Sequence, residues 1–196
     1  RPSKPSAAAK ARIARSSFRP KASRKMSENQ ITDTIAAIAT PPGTGGIAVV
    51  RISGPAALTV ARTITSQKNF KPNTIVPVKI LAVNGTVLDR GLAACFKKPH
   101  SYTGEDVIEI NCHGSYFLAQ RILEESLKAG ARLAQPGEFT KRAFLSGKID
   151  LTQVEAVADM IAAKSPTAAQ LALRHLEGDV SKAIRAIREA DRKSVV

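Results

Sequence analysis

Two charged residues stand where a charge is expensive. In residues 47–53 (IAVVRIS) a single arginine, Arg51, interrupts an otherwise apolar strand-like run, and in residues 107–114 (VIEINCHG) Glu109 does the same. A charge surrounded by apolar side chains needs a partner, because desolvation without one is costly. For Arg51 two readings stand side by side: an edge position or structural ion pair, or a contact to an anion or ligand. The repetition of the pattern at Glu109 points to one shared polar site.

The other reactive side chains carry less. Cys95 and Cys112 lie within or at the ends of apolar runs and read as buried free thiols. Neither the number nor the spacing of ligand-type residues supports a disulfide or a metal site, and a reducing, intracellular compartment fits. His113 reads as a structural histidine at a strand end. Residues 41–46 (PPGTGG) have the glycine density of a phosphate loop, yet no Lys-Ser/Thr follows, and GxxxxGK[ST] occurs nowhere in the chain. No nucleophile and base are spaced for covalent catalysis, so a self-contained hydrolase or transferase is not supported.

The elements that must position Arg51 and Glu109 are legible from periodicity. Residues 35–39 read as a strand, the proline-glycine loop as a break, and residues 47–53 as a second strand. Gly54-Pro55 opens a helix to about Ser66, with Leu58, Ala61 and Ile64 or Thr65 on one side. Residues 75–83 and 87–96 form a hairpin about Asn84-Gly85, the strongest short hairpin signal. A polar loop over 100–106 leads into the Glu109 strand. Ser115 is then placed to cap a helix through Lys128, with Phe117, Leu118, Ile122 and Leu127 inward and Gly130 as its stop. Residues 131–134 could add a short last strand.

Residues 136–151 (PGEFTKRAFLSGKIDL) divide two architectures. Pro136-Gly137 breaks the chain, Glu138, Phe139, Arg142, Ala143 and Leu145 follow helical spacing, and Gly147 ends that turn. Asp150 stands where an N-cap belongs, with Gln153 three positions on as in a capping box. Val154, Val157, Ala158 and Ile161 continue as an i, i+3, i+4, i+7 stripe. Ser165-Pro166 fits an N-cap and first-turn pair of a new helix, and Leu171, Leu173, Leu176, Val180, Ile184 and Ile187 extend an apolar face towards the end. The fold class is therefore α+β: a mixed domain followed by the start of an all-helical one. The boundaries expected are a basic tail over 1–30, a mixed domain over 31–148 and a helical segment over 149–196.

Charge bounds the partners. The chain of 196 residues carries a net charge of +14, which suggests a nucleic-acid binder. Residues 1–25, however, hold nine of the thirty Lys and Arg and no acid, which leaves 21 basic against 16 acidic residues and a net of +5 for the remainder. The tail lacks the apolar mass to fold. It could be an organelle transit peptide, a nucleic-acid-binding arm, or sequence upstream of a natural start at Met26. The abrupt change in composition at Met26 favours the last. No window approaches the roughly 20 apolar residues of a membrane span, so no membrane partner is expected.

Several separated motifs together resemble one family. Residues 34–46 (TIAAIATPPGTGG), 50–54 (VRISG), 101–109 (SYTGEDVIE), 136–151 and 152–161 (TQVEAVADMI) are similar to the amino-terminal part of the tRNA-modification GTPases called MnmE or TrmE. The resemblance implies a folate-binding-type amino-terminal domain related to one-carbon enzymes, which forms a homodimer and binds 5-formyltetrahydrofolate. It implies a helical domain into which a GTPase domain is inserted, with GTP, Mg and K needed only there, outside this chain. Together with an MnmG-type flavoprotein, such a protein installs an aminomethyl-type group on the wobble uridine of certain tRNAs in the cytoplasm, or in mitochondria or another organelle. Carried over motif by motif, the folate contacts would be Arg51 in VRISG, Glu109 in SYTGEDVIE and Lys148 in FLSGK, with no catalytic residue implied. A carboxylate can accept a hydrogen-bonded pair from an aminopyrimidinone edge, and two cations can face carbonyl or carboxylate oxygens. Tyr102 could stack on the ligand or fill core. Two departures from the family pattern are Thr44 where PPGRGG is common and residues 111–115 (NCHGS) where QGHGG is common. The alternative function is a basic nucleic-acid-binding protein that acts through its amino-terminal arm.

Overall fold

The computed structural model describes residues 33–194, so the tail over 1–30 lies outside the described residues. Six strands form one sheet: β1 (Ile35–Ile38), β2 (Ile47–Ser53), β3 (Thr74–Leu81), β4 (Val87–Phe96), β5 (Val107–His113) and β6 (Arg132–Leu133). Their spatial order is β3-β4-β5-β2-β1-β6, antiparallel throughout except for the parallel pair of β1 with β6. The α+β expectation holds, with the helices of the second part following the sheet.

Side chains alternate across a strand, so register decides which face each residue serves. In β2, Ala48, Val50 and Ile52 point into the core and are at most 7% exposed, while Val49 and Arg51 point the other way. Two helices, α1 (Ala57–Ile64) and α2 (Tyr116–Lys128), cover the core face. Val60, Ile64 and Ile122 meet Val50, Ile52, Ile80, Ile108 and Ile110 in one buried cluster. Each such aliphatic side chain contributes about 1.5–3 kcal/mol on burial. Among the described residues the opposite face has no such layer. Its rows read Ala37, Arg51, Glu109, Ala94 and Ile75, then Val49, Asn111, Leu92 and Pro77.

Some sequence expectations shift in detail. The first helix starts at Ala57, later than Gly54-Pro55, because Gly54 makes a tight turn at φ +134. A Cβ there would lie 2.6 Å from the Asp33 carbonyl oxygen, so that turn admits glycine alone. Phe117 is not inward: it is 75% exposed. The buried stripe of α2 runs through Ala119, Ile122, Leu123 and Ser126, with Leu118 and Leu127 half-buried at its margins, and Phe117 falls on the far side of the helix. Ser115 occupies the N-cap position without a side-chain bond to the helix.

Beyond the sheet come α3 (Glu138–Leu145), α4 (Leu151–Ala162), α5 (Pro166–Leu176) and α6 (Asp179–Ser194). The capping box at α4 is formed: Asp150 accepts from the Gln153 N–H at 3.0 Å, and Gln153 accepts from the Asp150 N–H at 2.9 Å. Ser165 caps α5, with Pro166 as its first residue. Gln153 also donates to the Leu176 carbonyl at 2.7 Å, and Ser181 of α6 donates to Asp150 at 2.5 Å, so one cap gathers three helices. The stripe Val154, Val157, Ala158 and Ile161 shares a face as its spacing requires. That face lines an open groove of about 360 Å³ with Phe144 and Leu151, and Ile161 is 83% exposed. Among the described residues no helix is long and apolar enough to cross a membrane.

Because the Asp150 carboxylate serves both its own helix and α6, Asp150→Ala should cost about 1–2 kcal/mol, at the upper end for a lost N-cap. Urea unfolding followed by far-UV circular dichroism measures it, and an unchanged midpoint would show the cap to be energetically idle.

Candidate functional site

Arg51 and Glu109 are direct cross-strand partners of β2 and β5 on the open face of the sheet. The guanidinium donates from Nε at 2.8 Å and from an Nη nitrogen at 2.7 Å, both to Oε1 of Glu109. The side chains remain 28% and 24% exposed, so the pair is desolvated in part and still open to a solute. The ion pair of the first reading of Arg51 thus exists, and it lies on the outward face of the sheet.

Two aromatic rings flank the guanidinium. Its central carbon lies 5.7 Å from the centroid of Tyr102 and 5.5 Å from that of Phe139. Each contact at this range is worth about 0.5–1 kcal/mol when partly exposed. Tyr102 belongs to the loop before β5 and Phe139 to α3, and the Tyr102 hydroxyl bonds Thr140 Oγ1 at 2.9 Å. The rings are therefore held at fixed separation by a bond between the elements that carry them.

Lys148 packs against the loop that carries Tyr102. Its ammonium donates to the Pro99 carbonyl at 3.1 Å, and its backbone N–H closes the end of α3 on Ala143 O at 2.9 Å. Gly104, at φ +77, lets α3 approach: a Cβ there would meet Ser146 Oγ at 2.8 Å and Lys148 Cγ at 3.2 Å. The fold brings Arg51 and Glu109 into contact. Among the described residues Lys148 forms no ion pair with either Glu109 or another carboxylate.

The sequence reading missed the polar clasp that fixes this arrangement. Arg142 has only 2% of its side chain exposed and binds three carboxylates. It donates to Asp33 Oδ1 at 2.8 Å and the Asp33 carbonyl at 3.0 Å, to Glu105 at 3.2 Å and to Glu138 at 3.1 Å. Its Nε has no hydrogen-bond partner among the described residues. Glu105 in turn accepts from the buried Ser53 hydroxyl at 2.6 Å. Arg132 adds bonds to Asp33 and to both oxygens of Glu138 at 2.5–2.9 Å. The visible signal was the i, i+4 spacing of Glu138 and Arg142 on a short helix; their distant partners left none.

These charges set the carboxylate acidities. The bonds from Arg132 are the main reason that the Glu138 carboxyl is held at about 2. Burial is the largest single influence on Asp33 and acts upward, yet the bonds and charges of Arg132 and Arg142 together hold it below its ordinary value. Burial pushes the Cys95 and Cys112 thiols up, as expected for inert, free cysteines. His113, at its strand end, bonds Asp89 through Nδ1 at 2.8 Å, which fits a structural histidine. Among the described residues no cluster of His, Cys, Asp and Glu could hold a metal ion.

Comparison with known proteins bears on this arrangement. The family described as the GTP-binding protein TrmE N-terminus matches residues 34–148. The tRNA modification GTPase MnmE of Legionella pneumophila (strain Corby) is 54% identical over 157 residues, covering 80% of this chain and 35% of the relative. The proteins of the same name from Symbiobacterium thermophilum and Clostridioides difficile (strain 630) are 49% and 51% identical, covering 80% and 81% of this chain and 36% of each relative. The chain thus spans about a third of the length of these relatives.

The clasp makes two testable demands. Removing the Arg142 charge leaves Glu105 without a cationic partner while Asp33 and Glu138 keep Arg132, so Arg142→Met should cost about 3 kcal/mol in denaturant unfolding, the lower end for a broken buried pair. Glu138 has a folded pKa of about 2 against an ordinary 4.5, so the unfolded chain binds the extra proton. The stability it contributes is complete above about pH 4.5 and is lost as pH falls towards 2. Unfolding measured across that window should show the loss, and Glu138→Gln should flatten it; an unchanged slope in the variant would remove Glu138 from the explanation.

Proposed function

The chain belongs to the family of the TrmE N-terminus, and on that premise we propose that it is the folate-binding, dimerising amino-terminal part of a tRNA uridine-modification GTPase. In this reading residues 31–148 bind the folate and pair with a second copy, and residues 149–196 begin the helical domain. GTP with Mg and K belongs to a segment outside these 196 residues. The complete protein acts in the cytoplasm on tRNA with an MnmG-type flavoprotein to introduce an aminomethyl-type group at the wobble uridine.

The observation that supports the folate is the outward-facing Arg51–Glu109 pair between two aromatic rings. The donor set fits such a ligand. Glu109 spends both of Arg51's bonds on one oxygen, and a carboxylate suits the N–H edge of an aminopyrimidinone. Arg51 and Lys148 suit carbonyl or carboxylate oxygens, and Tyr102 and Phe139 present faces to a planar ring. The folate supplies a one-carbon unit. In this reading the chain's own residues bind and orient it: the strands fix Arg51 and Glu109 at one register position, α3 carries Phe139 to the Arg51 guanidinium, and Lys148 reaches the ligand from beside the loop that carries Tyr102.

Calorimetric titration of the purified chain with 5-formyltetrahydrofolate tests the reading. Loss of a charge-assisted hydrogen-bonded pair costs on the order of 1.5–3 kcal/mol, so Glu109→Ala should weaken binding about 10- to 100-fold. Lys148→Ala should weaken it about tenfold, since one charge-assisted bond is removed. Absence of binding, or binding indifferent to Glu109→Ala, would overturn the assignment. Full affinity in the Lys148 variant would leave that lysine only its bond to Pro99.

A further inference from the structure

The stretch that carries α1, β3 and β4 holds most of the net positive charge outside the amino-terminal tail. Residues 26–196 carry a net of +5, and residues 57–96 hold Arg62, Lys68, Lys71, Lys79 and Arg90 against Asp89 alone, a net of +4. Asp89 is already engaged with the His113 ring and backbone N–H. Arg62 and Lys68 donate to each other's backbone carbonyls and to Thr65 O instead of to acids.

Lys79 and Arg90 are directly opposed across β3 and β4. Like charges at a directly opposed pair are destabilising, and among the described residues no carboxylate pairs with either. Protection of an edge strand does not explain Lys79. Edge lysines keep foreign strands off unpaired backbone groups, but here Ser66 has taken both groups: its N–H donates to Lys79 O at 2.9 Å, and its hydroxyl accepts from Lys79 N at 3.0 Å. The two cations border an open depression of about 550 Å³ with Ser66, Pro77 and Leu92. A smaller one of about 170 Å³ begins on the other side of Arg90 and runs to Asn111 and His113. Register puts Lys79 and Arg90 on the same side of the sheet as the Arg51–Glu109 pair.

We infer that this end of the open face is a docking surface for the phosphodiester backbone of RNA, with Lys79 and Arg90 as the phosphate contacts. Two uncompensated cations side by side at the rim of an open depression suit a polyanion. The inference rests on the tRNA-directed part of the proposed function for the identity of the polyanion, and on no part of the folate reading.

Binding of a labelled tRNA transcript to the whole chain over a range of salt concentrations tests it, with Lys79→Ala/Arg90→Ala as the variant. Neutralising two phosphate contacts should make the slope of log affinity against log salt shallower by about 1–2 and weaken binding about tenfold near 0.1 M salt. The thermal midpoint should stay level or rise, because a like-charge pair is relieved. Lys141→Ala/Lys164→Ala, an equal change of charge elsewhere, should leave binding nearly unchanged. The surface is refuted by an unchanged slope in the first variant, by an equal loss in both variants, or by a chain that binds no tRNA. It is equally refuted if the first variant keeps tRNA binding and loses binding to phosphatidylserine-containing vesicles. A 5-formyltetrahydrofolate titration separates the two readings: a chain that fails to bind folate but loses tRNA affinity with Lys79 and Arg90 keeps this surface and forfeits the folate site.

Discussion

The burial of the Arg142 guanidinium is the constraint on which the rest of the site depends. A charge with 2% exposure survives only where oxygens surround it, and those oxygens come from Asp33 just ahead of Thr34 and β1, from the loop before β5 and from the first turn of its own helix. Arg142 and Ala143 are the buried residues of α3, so apolar packing alone would hold that helix weakly. Ionic bonding to Asp33 and Glu105 fixes it instead, and with it the ring of Phe139 over Arg51. The placement of Phe139 over Arg51 is thus an indirect product of the Arg142 clasp.

The sheet divides its labour by the two-residue period of its strands. One face is closed by α1 and α2 with isoleucine and valine, which gives the stability that a partly open molecule needs. The other face keeps its charges accessible: a compensated pair at the centre and an uncompensated one at the β3–β4 end. Pairing at the centre lowers the cost of holding Arg51 and Glu109 in place. Lack of pairing at the end leaves the field of Lys79 and Arg90 directed outward.

The strands, the Asn84-Gly85 hairpin, the Asp150 capping box and the Ser165-Pro166 start were legible in the sequence because each is encoded within a few residues. Arg51 and Glu109 were legible for a related reason: a lone charge in an apolar strand is conspicuous, and two of them imply each other. Phe117 lies off the packed stripe of α2, which the small Ala119 marks together with Ile122, Leu123 and Ser126. The Arg142 clasp was illegible since its partners are contributed by loops, and no local pattern links Asp33 or Glu105 to a helix so far downstream. The helical stripe of α4 was readable as a stripe, while the open groove that it lines is a matter of tertiary arrangement.

Separation along the chain also orders events in time. Asp33 lies 109 positions before Arg142 and 99 before Arg132, and β1 has only the two residues of β6 on its outer side. Closing so long a loop brings no reward until its final contacts form. On a ribosome, the hairpins of β2 to β5 can assemble while the first strand still lacks its outer neighbour and α3 is still inside the exit tunnel. The ring pair around Arg51 is therefore completed only when α3 emerges, which makes this surface a late product of the nascent chain.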